Sequence, residues 1–162
     1  MALFGQPSGI SASPPVKGGF FFHNTIIDQD TIQSYLETEY RVYAQPAFKL
    51  NVGQASLELL TAHKRENVIC SAFLTAWNPF SKSFDETANA IRQNNLVREL
   101  TSRGLAFLPG IGQHPSNGWP GEESFLVFGL SLDAARVLGT KLEQNGFIWS
   151  GADYVPQLIL LQ

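Results

Sequence analysis

Val68-Ile69-Cys70-Ser71-Ala72-Phe73-Leu74-Thr75-Ala76-Trp77 is apolar on both alternating faces. A strand of that composition is one covered on both sides, as in α/β architecture. Asn78-Pro79 follows directly; proline has no N–H to give to a ladder, so the strand ends there. Downstream, the spacing predicts a helix over 84–103, with Ser83 or Asp85 as N-cap and Gly104 just past its end. Strands are expected near 105–111 and 124–130, joined by a Gly-, Pro- and Asn-rich loop. Ser131 then caps a helix with Ala134, Ala135, Leu138 and Leu142 toward the core, and Gly146 is read as its stop. Phe147–Trp149 and Val155–Leu161 complete the strands.

Upstream, Asp28 or Asp30 can cap a short helix carrying Ile32, Tyr35 and Leu36 on one face. Tyr40 to Leu50 reads as extended, with Pro46 marking an edge or a break. Beyond Gly53, Leu57, Leu60 and Lys64 fall at helical spacing. Residues 1–24 are rich in Gly, Ser and Pro and include Phe20-Phe21-Phe22, which suggests an arm whose rings dock on the domain or a partner. From Val68 on, the order is strand, helix, strand, strand, helix, strand, strand. That predicts an α/β (α+β) fold: a mixed sheet with flanking helices, built on a ferredoxin-like split βαβ core with an N-terminal extension. Residues 25–162 are expected to form one domain.

Composition excludes several classes. The 162 residues are 44% hydrophobic and 15% charged, and the net charge of −3 offers no basic field for a phosphate backbone, so nucleic acid is not an expected partner. Twelve Phe and three Trp against one Met point to a core of rigid rings. Cys70 is the single cysteine, so no intramolecular disulfide can form, and its apolar setting suggests an inert thiol. No run approaches the roughly 20 apolar residues of a membrane span, and the N-terminus lacks the basic and apolar regions of a signal peptide, so the expected compartment is the cytoplasm. His23, His63 and His114 have no zinc spacing, and Gly110-Ile111-Gly112 leads into a proline loop instead of a helix. No metal or cofactor is therefore expected. There is no P-loop and no nucleophile elbow either.

Three segments could carry chemistry. On the helix over 84–103, Asn89, Gln93, Leu96 and Leu100 share one stripe with Arg92 at its edge. The first half of that stripe is polar; it either overhangs into water or lines a site, because buried amides need partners. Thr75 and Asn78 put a hydroxyl and an amide at the carboxyl end of the strong strand, where α/β folds place ligands; an Asx-type turn would use the same residues. Trp119-Pro120-Gly121-Glu122-Glu123-Ser124 leads into the next strand, with Glu122 and Ser124 on one face and Glu123 on the other. The two glutamates are thus not a same-face pair; the reading open to them is that one points inward as a base or hydrogen-bonding group, or that both belong to an exposed acidic strand entry. Gln144-Asn145 ends the last helix, either as polar terminal residues or as part of the site.

Together, Thr75-Ala76-Trp77-Asn78-Pro79, Asn89-x-x-Arg92, Trp119-Pro120 with Glu122-Glu123-Ser124-Phe125, and Gln144-Asn145 resemble a bacterial family catalogued as a domain of unknown function (three-two-nine-three in that series). The resemblance spans Tyr35 to Trp149 and implies a bacterial source and a shared site, without a substrate. Gly121 stands as an extra residue in its loop, and Gln93 stands where an asparagine is expected. The resulting expectation is a site for a small polar or anionic, nucleotide-like metabolite. Its residues would be Thr75, Asn78, Asn89, Arg92, Trp119, Glu122, Glu123, Ser124 and Gln144, with Arg92 holding the anion and Trp119 stacking as a lid. The rival expectation is a non-enzymatic protein-interaction module. The residues name no reaction.

Overall fold

The computed structural model describes residues 24–162; the expected arm over 1–24 lies outside the described residues but for Asn24. Four α-helices and seven strands follow one another. Helix α1 (Gln29–Glu37) leads to strands β1 (Glu39–Val42) and β2 (Phe48–Leu50), then helix α2 (Leu57–Glu66) and strand β3 (Ser71–Leu74). Helix α3 (Glu86–Ser102), strands β4 (Phe107–Gln113) and β5 (Glu122–Phe128), helix α4 (Leu132–Lys141) and strands β6 (Gly146–Ser150) and β7 (Gln157–Leu160) complete the chain. None of the described helices is long and apolar enough to cross a membrane.

The seven strands form one sheet in the order β2-β1-β4-β5-β3-β6-β7. The α/β (α+β) class holds, but the sheet is not mixed in strand direction, since every neighbouring pair is antiparallel. The reason is topological. Helix α3 joins β3 to β4 across the intervening β5, and α4 joins β5 to β6 across the intervening β3, so strands linked by a helix never become neighbours.

All four residues of β3 are buried, as its doubly apolar reading requires. Pleating sends Phe73 to one face, where it packs with Ile32 and Tyr35 of α1 and with Leu59 and Ala62 of α2. Ala72 and Leu74 go to the other face, against Leu96 and Leu100 of α3 and Leu138 of α4. Burying a large apolar side chain is worth about 1.5–3 kcal/mol, so two such layers hold the helices to the sheet without any disulfide.

Helix starts follow their caps. Asp28, Ser56, Asp85 and Ser131 each accept a backbone N–H of the first turn. At one helix end the sequence reading needs correction. Helix α4 stops before Gly146, because Glu143 takes a left-handed conformation (φ 57°) and the Gln144 N–H closes back on the Gly139 carbonyl at 3.1 Å. Gly146 instead begins β6, where a Cβ would meet the Ile159 carbonyl oxygen at 2.6 Å. The extended stretch from Tyr40 to Leu50 is two paired strands, with Pro46 in their connection.

Candidate functional site

The carboxyl end of β3, the start of β5 and the start of α3 meet around a cleft of about 230 Å³. Past Leu74 the ladder ends, and the backbone of 75–84 must find other partners because buried N–H groups are costly when unpaired. The helix α3 stripe supplies them. Gln93 accepts the Ala76 N–H at 3.0 Å and donates to the Glu123 carbonyl at 3.1 Å, bridging β3 to β5 where the strands part. One turn earlier, Asn89 accepts the Asn78 N–H at 2.9 Å and donates to Asn78 Oδ1 at 2.8 Å and to the Phe84 carbonyl at 3.2 Å. Asn89 and Gln93 are 1% and 5% exposed, so the polar half of the stripe does not overhang into water.

Asn78 is held in a left-handed conformation (φ 45°, ψ 68°), as is Phe80 two residues on (φ 52°, ψ 34°). A bulky non-glycine residue there carries strain of about 1–3 kcal/mol, and such strain gathers at functional sites. Asn78 pays for its conformation through its amide. Its Oδ1 accepts the Phe84 N–H at 3.1 Å, and its Nδ2 donates to Glu122 Oε1 at 3.2 Å.

Glu122 is the inward glutamate of the pair, 2% exposed, while Glu123 is exposed. It opens β5 opposite Gly112, which in turn pairs with Tyr40. Burial raises the Tyr40 phenol well above its usual value, and the nearby Tyr35 and Glu122 push it further the same way; its hydroxyl donates to the Tyr35 carbonyl at 2.6 Å. The cleft walls are aromatic: Trp77, Phe84 and Trp119 line it, with Pro120 and Gly121 beside Trp119. At Gly121 a Cβ would meet Ile111 Cδ1 at 2.5 Å.

Of the residues expected from the sequence, Asn78, Asn89, Trp119 and Glu122 line the cleft. Thr75 lies beneath it; its hydroxyl donates to the Glu123 carbonyl at 2.6 Å and accepts the Trp77 N–H at 3.0 Å. Ser124 donates to the Glu122 carbonyl at 3.0 Å. Gln144 is fully buried and donates to the Trp77 carbonyl at 3.3 Å, tying the end of α4 to the same segment. Arg92 is half-buried and is not among the lining residues; its guanidinium lies over the Phe84 ring, 5.2 Å from the centroid.

Trp77, Ser83, Phe84 and Glu86 line the cleft although none was among the site residues expected from the sequence. For Phe84 a signal existed. It precedes the N-cap Asp85, where a hydrophobic staple would set an apolar residue four places into the helix against it. That place holds Asn89, so the Phe84 ring is left to Arg92 and the cleft.

Among the described residues that line the cleft, Glu86 and Glu122 are acidic and none is Lys, Arg or His. The nearby N-terminus of α3 is occupied by the Asp85 carboxylate, which accepts the Ala88 N–H at 2.7 Å.

Residues 74–146 match the family described as Protein of unknown function (DUF3293). That stretch, narrower than Tyr35 to Trp149, holds every candidate residue from Thr75 to Gln144. No curated protein and no solved structure gives a significant match to the chain.

Proposed function

We propose, for a chain whose residues 74–146 carry the match to a family of unknown function, that the cleft at the end of β3 binds a small polar metabolite with a planar part. The observation that carries this reading is a buried carboxylate, Glu122, tied to Asn78 beneath walls formed by Trp77, Phe84 and Trp119. Ligand sites pair apolar, often aromatic walls with a few placed polar groups, and this cleft has that composition. Its volume of about 230 Å³ is below the roughly 300–1,000 Å³ typical for drug-sized ligands, which suits a single ring system. The left-handed backbone at the bulky Phe80 adds support, since strain of this kind is kept where it serves a site.

The test is a thermal-shift and tryptophan-fluorescence screen of ring-bearing polar metabolites on the full chain and on Trp119→Ala. A true ligand should raise the melting temperature of the wild type by binding the native state alone. It should also change the emission of Trp77 and Trp119, and both effects should weaken in the variant. A hit that binds Trp119→Ala as tightly as the wild type would place its site elsewhere and overturn the reading.

A further inference from the structure

We infer that the outer edge of β2 is a docking site for an extended, acidic segment of another protein, which adds to the sheet as one more strand. The edge shares no described lining residue with the cleft, so this inference stands or falls apart from the cleft reading.

Topology opens the edge. Among the described residues, β2 is the last strand of the sheet and pairs with β1 alone. The Tyr43 N–H bonds to the Pro109 carbonyl, on the β4 side of β1. Strand alternation turns Arg41 the same way and leaves Tyr40 and Val42 to bond with Leu50 and Phe48 of β2. Lys49, between those two, therefore turns its N–H and C=O outward, where a residue of an added strand can exchange both hydrogen bonds.

Hollows flank that edge on both faces. Tyr40, Val42 and Leu50 are buried toward the α1 and α2 layer, so Arg41, Tyr43 and Lys49 stand exposed on the opposite face, around a hollow of about 260 Å³. A second hollow of about 370 Å³ lies between β2 and the start of α2, at Asn51, Ser56 and Glu58. Side chains of an added strand alternate between the two faces, so each hollow meets every second one.

Charge selects the occupant. Arg41 and Lys49 both reach the Glu39 carboxylate, at 3.2 Å each, so two cations share one anion. A residue paired with Lys49 projects beside it on the same face, and an acidic side chain there completes the balance. A second copy of this chain fits worse. Two β2 edges joined around their outward residue would set Lys49 against Lys49, and like charges directly opposite destabilise a ladder.

The experiment titrates the full chain with a short labelled peptide of alternating threonine and glutamate, read by fluorescence anisotropy and by the Lys49 backbone amide resonance. The peptide should bind saturably and shift that resonance. Its threonine–lysine counterpart should bind about tenfold more weakly at low salt, where surface charge is least screened. Methylating the backbone nitrogens of the glutamates, which face Lys49, should weaken binding by about the tenfold that one hydrogen bond carries; methylating those of the threonines, which face away, should be tolerated. Lys49→Glu should reverse the preference between the acidic and basic peptides, and if that variant is unstable the peptide comparisons on the wild type decide. Equal binding of both peptides, indifference to methylation at the glutamates, or an unmoved Lys49 amide would overturn the inference. So would a concentration-dependent dimer that protects the Lys49 amide from exchange, since the second copy would then hold the edge.

Discussion

The Asn78 N–H donates to Asn89 Oδ1 at 2.9 Å, and Asn89 Nδ2 returns a bond to Asn78 Oδ1 at 2.8 Å. This reciprocal pair clamps the left-handed residue that ends the β3 segment to the first turns of α3. Replacing Asn89 with Ala leaves the Asn78 N–H and the Phe84 carbonyl without their partner. Buried groups orphaned in this way cost about 1–3 kcal/mol. Asn89→Ala should therefore lower the denaturant midpoint by that order with an unchanged slope, and Asn89→Asp, which keeps the acceptor but removes the donor, should also destabilise. A change below about 0.5 kcal/mol in either variant would show that the pair is not holding the segment.

Gln93 makes the equivalent bridge one turn further along α3, between the Ala76 N–H and the Glu123 carbonyl. Gln93→Leu keeps the size and removes both bonds. A loss of about 1–3 kcal/mol is expected, and because the bridge lies beneath the cleft, Trp77 emission should shift as well. Denaturation followed by fluorescence reads both at once.

His63 is buried, with Nε2 at 2.8 Å from Ser71 Oγ and its ring between Phe128 and Tyr154. Burial holds its pKa below the ordinary 6.5, so in acid the unfolded chain takes up a proton that the folded chain refuses. Stability should fall as pH drops below about 6.5, down to the folded value, and then level off. Urea titrations of wild type and His63→Gln across that window test this; the variant should lose this component of the slope. An unchanged slope would mean that another group titrates there.

Glu99 of α3 receives Lys141 at 3.0 and 3.1 Å and Arg103 at 2.8 Å, linking α3 to the end of α4. The Lys141 bond, then the Arg103 bond, hold its pKa below the ordinary 4.5 despite partial burial. The contribution to stability is present above that value and lost as pH falls through the folded one. The three groups are partly exposed, so Glu99→Gln should cost only about 0.5–1 kcal/mol, less at high salt. A salt-independent loss would point to packing instead.

Arg92 on the Phe84 ring should contribute about 0.5–1 kcal/mol through its cation–π contact. Arg92→Lys keeps the charge and should retain part of it, while Arg92→Ala should not. If Arg92→Ala also weakens a cleft ligand, the effect should track that of Phe84→Ala, as expected for an influence passed through the ring.

Much of this protein was legible in order along the chain. The doubly apolar run from Val68, the cap candidates Asp28 or Asp30, Ser83 or Asp85, and Ser131, and the Leu96 and Leu100 stripe are local signals, because strand and helix periods act over a few residues. They determined the class, the helix starts to within a residue or two at three of the four helices, and the polar stripe beside the end of β3. Alternation along β5 likewise set Glu122 and Glu123 on opposite faces. Tertiary structure alone decided the rest. That every strand pair is antiparallel depends on β5 entering between β3 and β4, a long-range choice without a local mark. Glu122 is the buried glutamate because its face of β5 packs against the α1 and α2 layer. Arg92 lies on Phe84 and away from the cleft because Asn89 takes the staple position. The charge character of the cleft followed from that packing, since side chains tens of residues apart meet there only once the sheet has formed.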